Sequence, residues 1–350
     1  MIRISLDAMG GDLGIEASID GLDYYLARRN NDCDLFFNIF GNKEQIDKKL
    51  TRCKHIPQSI FEVFDTEDRK IASDEKPSIS IRKGKGTSMF EAIAYVAAGK
   101  SDAVVSSGNT GAYMALSKVI IGTLAEIDRP ALVSIIPNIK GKSIMLDLGA
   151  NTDCSSTKLI QFALMGQAVA RVLLNIDNPS IGLLNIGTER SKGTDALEGA
   201  FNFLSTSSTV NFIGFIEGTD ITKGTSDVIV TDGFSGNISL KTMEGTMLYL
   251  MRLLQLELKS RVIGKIGGLF CKSAMKAVKN TLDPRMHNGA PLVGLKKIAI
   301  KSHGNSDYMG FSNAIATAIS LAKSNFVSNI KESISIVEME RSNENHNKKC

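Results

Sequence analysis

The sequence has little of what usually marks a secreted, zinc-binding or membrane-spanning protein. Only five of its 350 residues are cysteine, and no C-x-x-C pair occurs. A disulfide framework or a zinc ribbon is therefore not expected, whereas a reducing, cytoplasmic environment is. No run of about 20 apolar residues occurs, as a membrane-spanning helix would need. The N-terminus meets an acidic residue at Asp7, which is too early for a signal peptide.

An excess of charge of one sign is also missing over the chain as a whole. There are 41 Lys and Arg residues against 37 Asp and Glu residues, which gives a formal net charge of +4. This balance excludes a highly basic nucleic-acid arm, and we expect no nucleic-acid partner. The charge is unevenly placed, however, because residues 252–279 hold seven basic residues and one acidic residue. That segment carries +6, which leaves −2 for the rest of the chain.

The usual motifs of nucleotide, hydrolase and metal sites do not occur. The loop GNTGAY (108–113) does not match G-x-G-x-x-G, and KGKGTS (83–88) does not match G-x-x-x-x-G-K-[ST]. No G-x-S-x-G elbow is present, and none of the four histidines lies in H-E-x-x-H or beside cysteines at metal spacing. Cys154 has no histidine near it in the sequence, so we interpret it as a buried structural cysteine. We therefore expect no metal, no cofactor and no covalent protein intermediate.

What the sequence does have is one local unit repeated along the chain. A short β-branched run ends in a polar loop rich in glycine, and an amphipathic helix follows. The loops are DAMGGD (7–12), SSGNTG (106–111), GANTDC (149–154), GTERSKG (187–193), DGFSGN (232–237) and SHGNSD (302–307). This alternation predicts a three-layer α/β/α fold around a mostly parallel sheet, in a single catalytic domain over residues 1–330. The short turn at Gly141 predicts an antiparallel hairpin between residues 131–138 and 143–148.

The polar loops are the candidate sites of chemistry. In open α/β sheets, ligands bind where strands end and helices begin, and free backbone N–H groups there favour anions. The loop GTERSKG places Arg190 and Lys192 between glycines before a helix, which is typical either of a phosphate site or of a solvated charged turn. Asp232 in DGFSGN is either a base or positioning group, or the N-cap of the next helix. Together the loops indicate a site that brings two substrates and an anion together.

Residues 242–282 interrupt the repeated unit. Apolar residues between Met247 and Leu258 form a helical stripe, and three glycines follow within an apolar stretch at 262–270. We therefore predict a protruding hairpin of two helices joined by a glycine-rich bend. Its basic residues are interpreted either as the solvated face of a dimer-forming hairpin or as a surface for anionic partners. Residues 331–350 are polar and aperiodic, which predicts a frayed tail.

Taken in order, seven motifs resemble those of PlsX-type phosphate acyltransferases. They are DAMGGD, SGNTGAY, DLGANTDC, NIGTERSKG, TDGFSGN, NGAPLVGL and SHGNSD, and they run from Asp7 to Asp307. The resemblance implies transfer of a fatty acyl group from acyl-acyl carrier protein to inorganic phosphate, which gives acyl phosphate for phospholipid synthesis. It also implies a fold similar to that of phosphate acetyltransferases and of isocitrate and isopropylmalate dehydrogenases.

The same resemblance implies partners and a location. We expect a cytoplasmic homodimer that associates peripherally with the inner face of the cell membrane. Its product would pass to an acyltransferase that acylates glycerol 3-phosphate. The predicted contacts with the membrane or with acyl carrier protein are Arg261, Val262, Ile263, Lys265, Ile266, Leu269, Phe270 and Lys272.

The matching loops supply the candidate site residues. We predict that Lys192 binds phosphate and developing negative charge, that Asp232 orients the phosphate or takes its proton, and that Asn237 donates a hydrogen bond to the carbonyl oxygen. The other predicted phosphate or substrate contacts are Arg190, Gly193, Asn109 and His303.

Three other functions stay open on the sequence. The first is a coenzyme-A-dependent phosphate acetyltransferase on a similar fold. The second is an NAD-dependent decarboxylating dehydrogenase, which would need an acidic metal cluster and a dinucleotide loop. The third is a non-catalytic scaffold at the membrane surface, built on the hairpin.

Overall fold

The computed structural model describes residues 1–29, 34–125, 127–260, 267–268 and 270–347, with side chains up to residue 336. The strands are β1 (Ile2–Asp7), β2 (Leu35–Gly41), β3 (Phe61–Asp65), β4 (Ala103–Ser106), β5 (Ala131–Asn138), β6 (Gly141–Leu146), β7 (Ser180–Leu184), β8 (Asn211–Ile216), β9 (Val228–Val230), β10 (Ala290–Val293) and β11 (Ile298–Lys301). The helices are α1 (Ile15–Arg28), α2 (Lys43–Leu50), α3 (Pro77–Lys83), α4 (Ser88–Ala97), α5 (Thr110–Ile120), α6 (Ser156–Leu173), α7 (Asp195–Leu204), α8 (Gly218–Lys223), α9 (Gly233–Ser260), α10 (Lys272–Leu282), α11 (Tyr308–Lys323) and α12 (Phe326–Asn347).

Within the described residues, eleven strands form one sheet in the order β3-β2-β1-β4-β11-β10-β5-β6-β9-β7-β8. Strands β3, β2, β1, β4 and β11 run parallel to one another. Strands β6, β9, β7 and β8 form a second parallel block. The predicted α/β fold with a mostly parallel sheet is therefore confirmed, and so is the antiparallel β5–β6 hairpin.

The two parallel blocks run in opposite directions. Three antiparallel pairings in succession, β11 with β10, β10 with β5 and β5 with β6, reverse the strand direction between them. Strand β5 pairs with β10 only through Ala131 and Leu132, but it pairs with β6 from Val133 to Asn138. As a result, the second block is offset as well as inverted, and the loops after β6 and β9 share a cavity with the loops after β4 and β11.

The main core lies between the sheet and its helices. Helix α6 is buried on all sides, since every residue from 159 to 170 is buried. Such a helix matches its sequence, which apart from Gln161 and Gln167 is apolar around its circumference rather than on one stripe. Each large apolar side chain buried in this way contributes about 1.5–3 kcal/mol to the free energy of unfolding. The core thus fixes the sheet rigidly beneath the loops that carry the polar residues.

The C-terminal segment differs from the sequence prediction. Residues 331–350 were expected to be a frayed tail after a domain ending at 330, but helix α12 runs through this boundary to Asn347. Phe326, Ile330 and Ile334 recur every four residues and are buried in the main core. These three side chains hold the first turns of α12 against the core. The residues that follow are mostly polar, so the helical pattern is not evident from the sequence of the segment.

Two helices lie where the hairpin is predicted, and their arrangement as a hairpin stays a prediction. Helix α9 starts at Gly233, earlier than predicted, and α10 follows the glycine-rich segment. The predicted bend residues Arg261, Val262, Ile263, Lys265, Ile266 and Leu269 lie outside the described residues. Phe270 is 86% exposed and Lys272 is also exposed. None of the described helices is long and apolar enough to cross a membrane.

Candidate active site

The two sheet blocks enclose a cavity of about 710 Å³ where their loops meet. This volume is in the usual range for small-molecule sites. Thr110 after β4 and His303 after β11 line it from the first block, and Gly149 after β6 and Asn237 near the start of α9 line it from the second. The cavity therefore lies where an α/β sheet normally places a ligand, but it draws on strand ends from both blocks.

Lys301, the last residue of β11, is a buried cation in the cavity wall. Its side chain is largely hidden, and the residue is only 6% exposed. Its ammonium group donates to the carbonyl oxygens of Ser302 and of Ser107, the latter at 3.4 Å. Burial lowers the pKa of Lys301 from 10.5 to about 8, because water no longer stabilises the charged form; nearby Asp7 opposes this effect. Lys301 is thus a fixed donor with one N–H group left for a ligand.

Asp7 lies two strands from Lys301 at the same level of the sheet. In the registers of β1 and β11 with β4, both residues pair with Ser106. The Asp7 carboxylate accepts hydrogen bonds from the hydroxyls of Ser106 at 2.6 Å and Ser88 at 2.7 Å. Burial raises the pKa of Asp7, and the hydrogen bonds from its neighbours oppose that rise. The row Asp7–Ser106–Lys301 therefore brings a buried carboxyl group and a buried ammonium group to one level of the sheet, and Lys301 lines the cavity.

A second group of polar residues holds the loop after β11. The side-chain oxygen of Asn288 accepts from the backbone N–H of His303 at 3.0 Å, and its amide donates to Ser302 and Ser306 at 2.8 Å each. Arg285 bridges two carboxylates, with 2.6 Å to Asp283 and 2.8 Å to Asp307. These bonds fix the loop that presents His303, and they leave Arg285 largely neutralised. Its role here is to position the loop.

The opposite side of the cavity is mainly apolar, although Lys241 and Glu244 of α9 also line it. Helix α9 contributes Leu240, Met243, Met247 and Met251, which lie on one face because they recur every three or four residues. Strand β5 contributes Leu132 and Ile136 to the facing wall. The cavity therefore has a polar, cationic end at the strand termini and an apolar wall along α9.

Asp147 organises the loop after β6 in the second block. Its carboxylate accepts from the backbone N–H groups of Leu132, Ala150 and Asn151, the last at 2.6 Å, and also from the Asn151 amide. Burial raises the pKa of Asp147, and these hydrogen bonds oppose the rise. Its bonds hold Gly149 next to Asn237, whose amide nitrogen would lie 3.1 Å from a Cβ at position 149. A glycine here lets Asn237 approach the backbone of the loop.

Comparisons with known proteins assign the chain to a family. The profile of the family described as fatty acid synthesis protein matches residues 2–329. A phosphate acyltransferase from Rhodospirillum rubrum is 42% identical over 337 residues, which cover 96% of this chain and 95% of that protein. One from Ehrlichia canis is 43% identical over 328 residues, which cover 93% and 96%. This chain belongs to the phosphate acyltransferase family.

Solved structures support the fold of this family member. A phosphotransacetylase from Streptococcus pyogenes superposes with a TM-score of 0.59 at 18% identity, over 92% of this chain and 94% of that chain. A phosphotransacetylase from Staphylococcus aureus superposes with a TM-score of 0.56 at 15% identity, with the same coverage. At these identities the likeness concerns the fold alone, and it confirms the α/β class.

In this family member, the seven predicted site residues fall into three groups: cavity residues, residues of the loop after β7, and helix caps. Asn237 and His303 line the cavity. Lys192, Arg190 and Gly193 do not line it but lie in the loop after β7, two strands from β6. Sequence order alone could not separate the groups, because every loop follows the same strand-to-helix pattern.

The loop after β7 is a compact charged turn. The Lys192 ammonium pairs with Glu189 at 2.9 Å, and its side chain is 46% exposed. The Arg190 guanidinium lies over the Phe201 ring, 4.8 Å from its centroid, and also contacts Asn202. Gly193 has φ +100°, and a Cβ there would come within 2.6 Å of Asn185. This turn therefore requires glycine, and Lys192 remains accessible to an anionic ligand.

The remaining two predicted residues act as helix caps. Asp232 accepts from the backbone N–H of Ser235 at 2.8 Å and from its hydroxyl at 2.9 Å, at the start of α9. The Asn109 side chain caps α5 through Ala112, and its amide nitrogen donates to the carbonyls of Ala72, Ser73 and Glu75. Asn109 thus holds a neighbouring loop against the site.

Sequence reasoning missed Lys301, Asp7 and the Arg285 bridge. One signal was available, since Lys301 ends the apolar run KIAIK and Asp7 ends the apolar run IRISLD. A charged residue that closes a buried strand is placed at the ligand-binding edge of the sheet. The Arg285 bridge gives no such signal, because Asp307 lies 22 positions further along the chain.

Proposed function

We propose that this protein transfers a fatty acyl group from acyl-acyl carrier protein to inorganic phosphate and so forms acyl phosphate for phospholipid synthesis. One observation carries the proposal: a single cavity combines a buried cation and hydrogen-bond donors at one end with an apolar wall along α9. An anionic acceptor and a fatty acyl thioester need these two environments side by side. The names and sequence identities of the curated relatives support the transfer of an acyl group to phosphate.

In the proposed reaction, a phosphate oxygen attacks the thioester carbonyl directly. The carbon–oxygen bond forms, the carbonyl oxygen becomes an oxyanion, and the carbon–sulfur bond then breaks to release the carrier thiol. Phosphate supplies the nucleophile, so the protein has to hold the two partners together and stabilise the developing charge. Lys301 is placed for this task because its charge is fixed by two carbonyl acceptors and faces the cavity.

The other cavity residues supply further contacts. Asn237 would donate to the carbonyl oxygen, and His303 would contact phosphate or the thiol leaving group. Lys192 and Arg190 are proposed to bind the charged part of a substrate at the loop after β7. The Asp232 carboxylate, which already caps α9, would orient the phosphate from the edge of the site.

The chemistry of the cysteine nearest to these loops supports direct attack. Cys154 is 7% exposed, and its thiol lies 3.7 Å from the carbonyl oxygen of Asn151. Burial raises the pKa of this thiol to about 11, so it is protonated at neutral pH and is a poor nucleophile. An acyl-cysteine intermediate on Cys154 is therefore disfavoured.

We also propose a homodimer at the inner face of the cytoplasmic membrane that hands its product to an acyltransferase acting on glycerol 3-phosphate. The support is the outer surface of α9, where Tyr249 is 64% exposed and Leu250 is 56% exposed. Contiguous exposed apolar residues of this kind favour contact with another protein or with lipid. The basic residues Arg252, Lys259, Lys272 and Lys276 add attraction to anionic lipid or to an acidic carrier protein.

The decisive experiment compares acyl donors. Purified protein is given inorganic phosphate with palmitoyl-acyl carrier protein, palmitoyl-coenzyme A or acetyl-coenzyme A, and acyl phosphate is trapped as its hydroxamate. We expect the highest kcat/KM with the carrier-protein donor. A preference for acetyl-coenzyme A would instead favour a phosphate acetyltransferase, and the absence of any acyl phosphate would reject the proposed reaction.

A further inference from the structure

One wall of the cavity is longer than the polar site requires. Leu240, Met243, Met247 and Met251 line the cavity from one face of α9. Between Leu240 and Met251 the helix advances eleven residues, which is about 16 Å at 1.5 Å per residue. An acetyl group would occupy only the first part of this wall. The rest offers apolar contact to a ligand that extends along the helix axis.

The near end of this wall is firmly packed. Leu240 and Met243 pack on a cluster of buried residues that includes Ile136 and Leu148. The far end is different, because beyond Met251 the cavity is lined by Arg252 and Gln255 of α9 and by Lys279 of α10. Lys241 and Glu244 of α9 also line the cavity within this stretch. An apolar ligand that starts at the polar site therefore meets a wall of mainly apolar residues up to Met251, and polar side chains after it.

The methionines along the wall suit a flexible apolar ligand. Methionine is unbranched and has several rotatable bonds, so it adapts its shape to ligands of variable shape. Each methylene group that moves from water to such a wall strengthens binding about fourfold. Because this gain stops where the polar side chains begin, binding should rise with chain length and then level off or fall.

We propose that the α9 methionine face, defined as Met243, Met247 and Met251, binds the acyl chain of the donor, and that Met251 sets the longest chain accepted. The inference rests on the proposed function, because it takes an acyl thioester as the substrate. The thioester carbonyl lies at the polar end near Lys301, and the chain runs along α9 toward Arg252.

The test is a change of chain-length profile. In Met251→Trp, the larger side chain would fill the far end of the wall. We measure kcat/KM for acyl phosphate formation with octanoyl-, lauroyl- and palmitoyl-acyl carrier protein. The value for the palmitoyl donor should fall at least about tenfold, as for a pocket that rejects extra methylenes, while the octanoyl donor keeps its wild-type value. The octanoyl measurement also shows that the variant is folded.

Val119→Trp is the control, since Val119 is an apolar residue of α5 that is 60% exposed and does not line the cavity. It should leave the profile unchanged. An unchanged profile in Met251→Trp, or an equal loss with all three donors, would overturn the inference, the latter because it would place another part of the donor along α9. If the wild-type protein formed no acyl phosphate from any donor, the proposed function itself would fail.

Discussion

The replacement Lys301→Met tests the buried cation at the polar end of the cavity. Methionine is of similar length and is apolar, so the change removes the charge and the three N–H donors with little change of shape. If Lys301 stabilises the oxyanion or the attacking phosphate, kcat should fall about 10²–10³-fold, as for loss of one oxyanion donor. Acyl phosphate formation with saturating donor and phosphate is the assay. The matched control is Lys296→Met, because Lys296 is an exposed lysine that precedes the same strand.

The same change should not weaken the fold. The pKa of Lys301 is lowered from 10.5 to about 8 in the folded protein. Each pH unit between these values corresponds to about 1.4 kcal/mol, so keeping the charged form buried costs about 3 kcal/mol near neutral pH. Loss of the hydrogen bonds to Ser107 and Ser302 offsets part of this gain, whereas the attraction to Asp7 is already contained in the lowered pKa. We therefore expect Lys301→Met to be as stable as the wild type, or up to about 3 kcal/mol more stable in urea unfolding at neutral pH.

The stability difference between Lys301→Met and the wild type should depend on pH, and the pKa shift fixes the direction. The unfolded chain binds a proton at Lys301 up to pH 10.5, whereas the folded protein releases it near pH 8. The cost of the buried charge is therefore complete below pH 8 and disappears as the pH rises toward 10.5, so the stability difference between variant and wild type should shrink over that range. Activity that needs the ammonium group should fall as the pH rises through about 8. Retention of more than a tenth of the wild-type kcat by Lys301→Met would refute the role of this cation.

Two further predictions concern the loop after β7 and the helical hairpin. Lys192→Ala should keep less than about a tenth of the wild-type turnover, since it removes a point charge that binds the anionic substrate; a higher residual turnover in the acyl phosphate assay would show that the Lys192–Glu189 pair is only a surface ion pair. The double change Val262→Glu with Ile266→Glu should release the protein from anionic liposomes in flotation while the circular dichroism spectrum stays the same, because two carboxylates oppose both apolar insertion and attraction to anionic lipid. Unchanged flotation would exclude the bend as the membrane anchor.

The repeated unit made most of the fold predictable. Alternating strand and helix periods with glycine-rich loops between them are local properties, and they placed strands such as β1, β6 and β11 close to their observed bounds. The helix α12 was missed for a physical reason. Phe326, Ile330 and Ile334 are buried in the core and Val327 packs against it, and a polar helix with so short an apolar stripe does not differ from a tail by composition.

The candidate site was predictable only in part. Asn237 and His303 follow strands whose ends reach the cavity, and both were identified from their motifs. Lys192 and Asp232 share the same local pattern, but their strand positions and cap bonds place them outside the cavity wall. The order and direction of the strands decide which loops line the cavity. The sequence of a loop contains neither piece of information.

The sequence by itself determined the fold class, the absence of a cysteine or histidine nucleophile motif, and the resemblance that the family comparison confirmed. These follow from local periodicity and from residue types in order along the chain. Only the tertiary structure decided that two sheet blocks of opposite strand direction contribute loops to one cavity, that Lys301 and Asp7 share one level of the sheet through Ser106, and that one face of α9 becomes the mainly apolar wall of the cavity. Each of these features depends on contacts between residues far apart in the chain. The pKa shifts of Lys301 and Asp7 depend on them as well, because burial changes a pKa only when the surrounding strands exclude water.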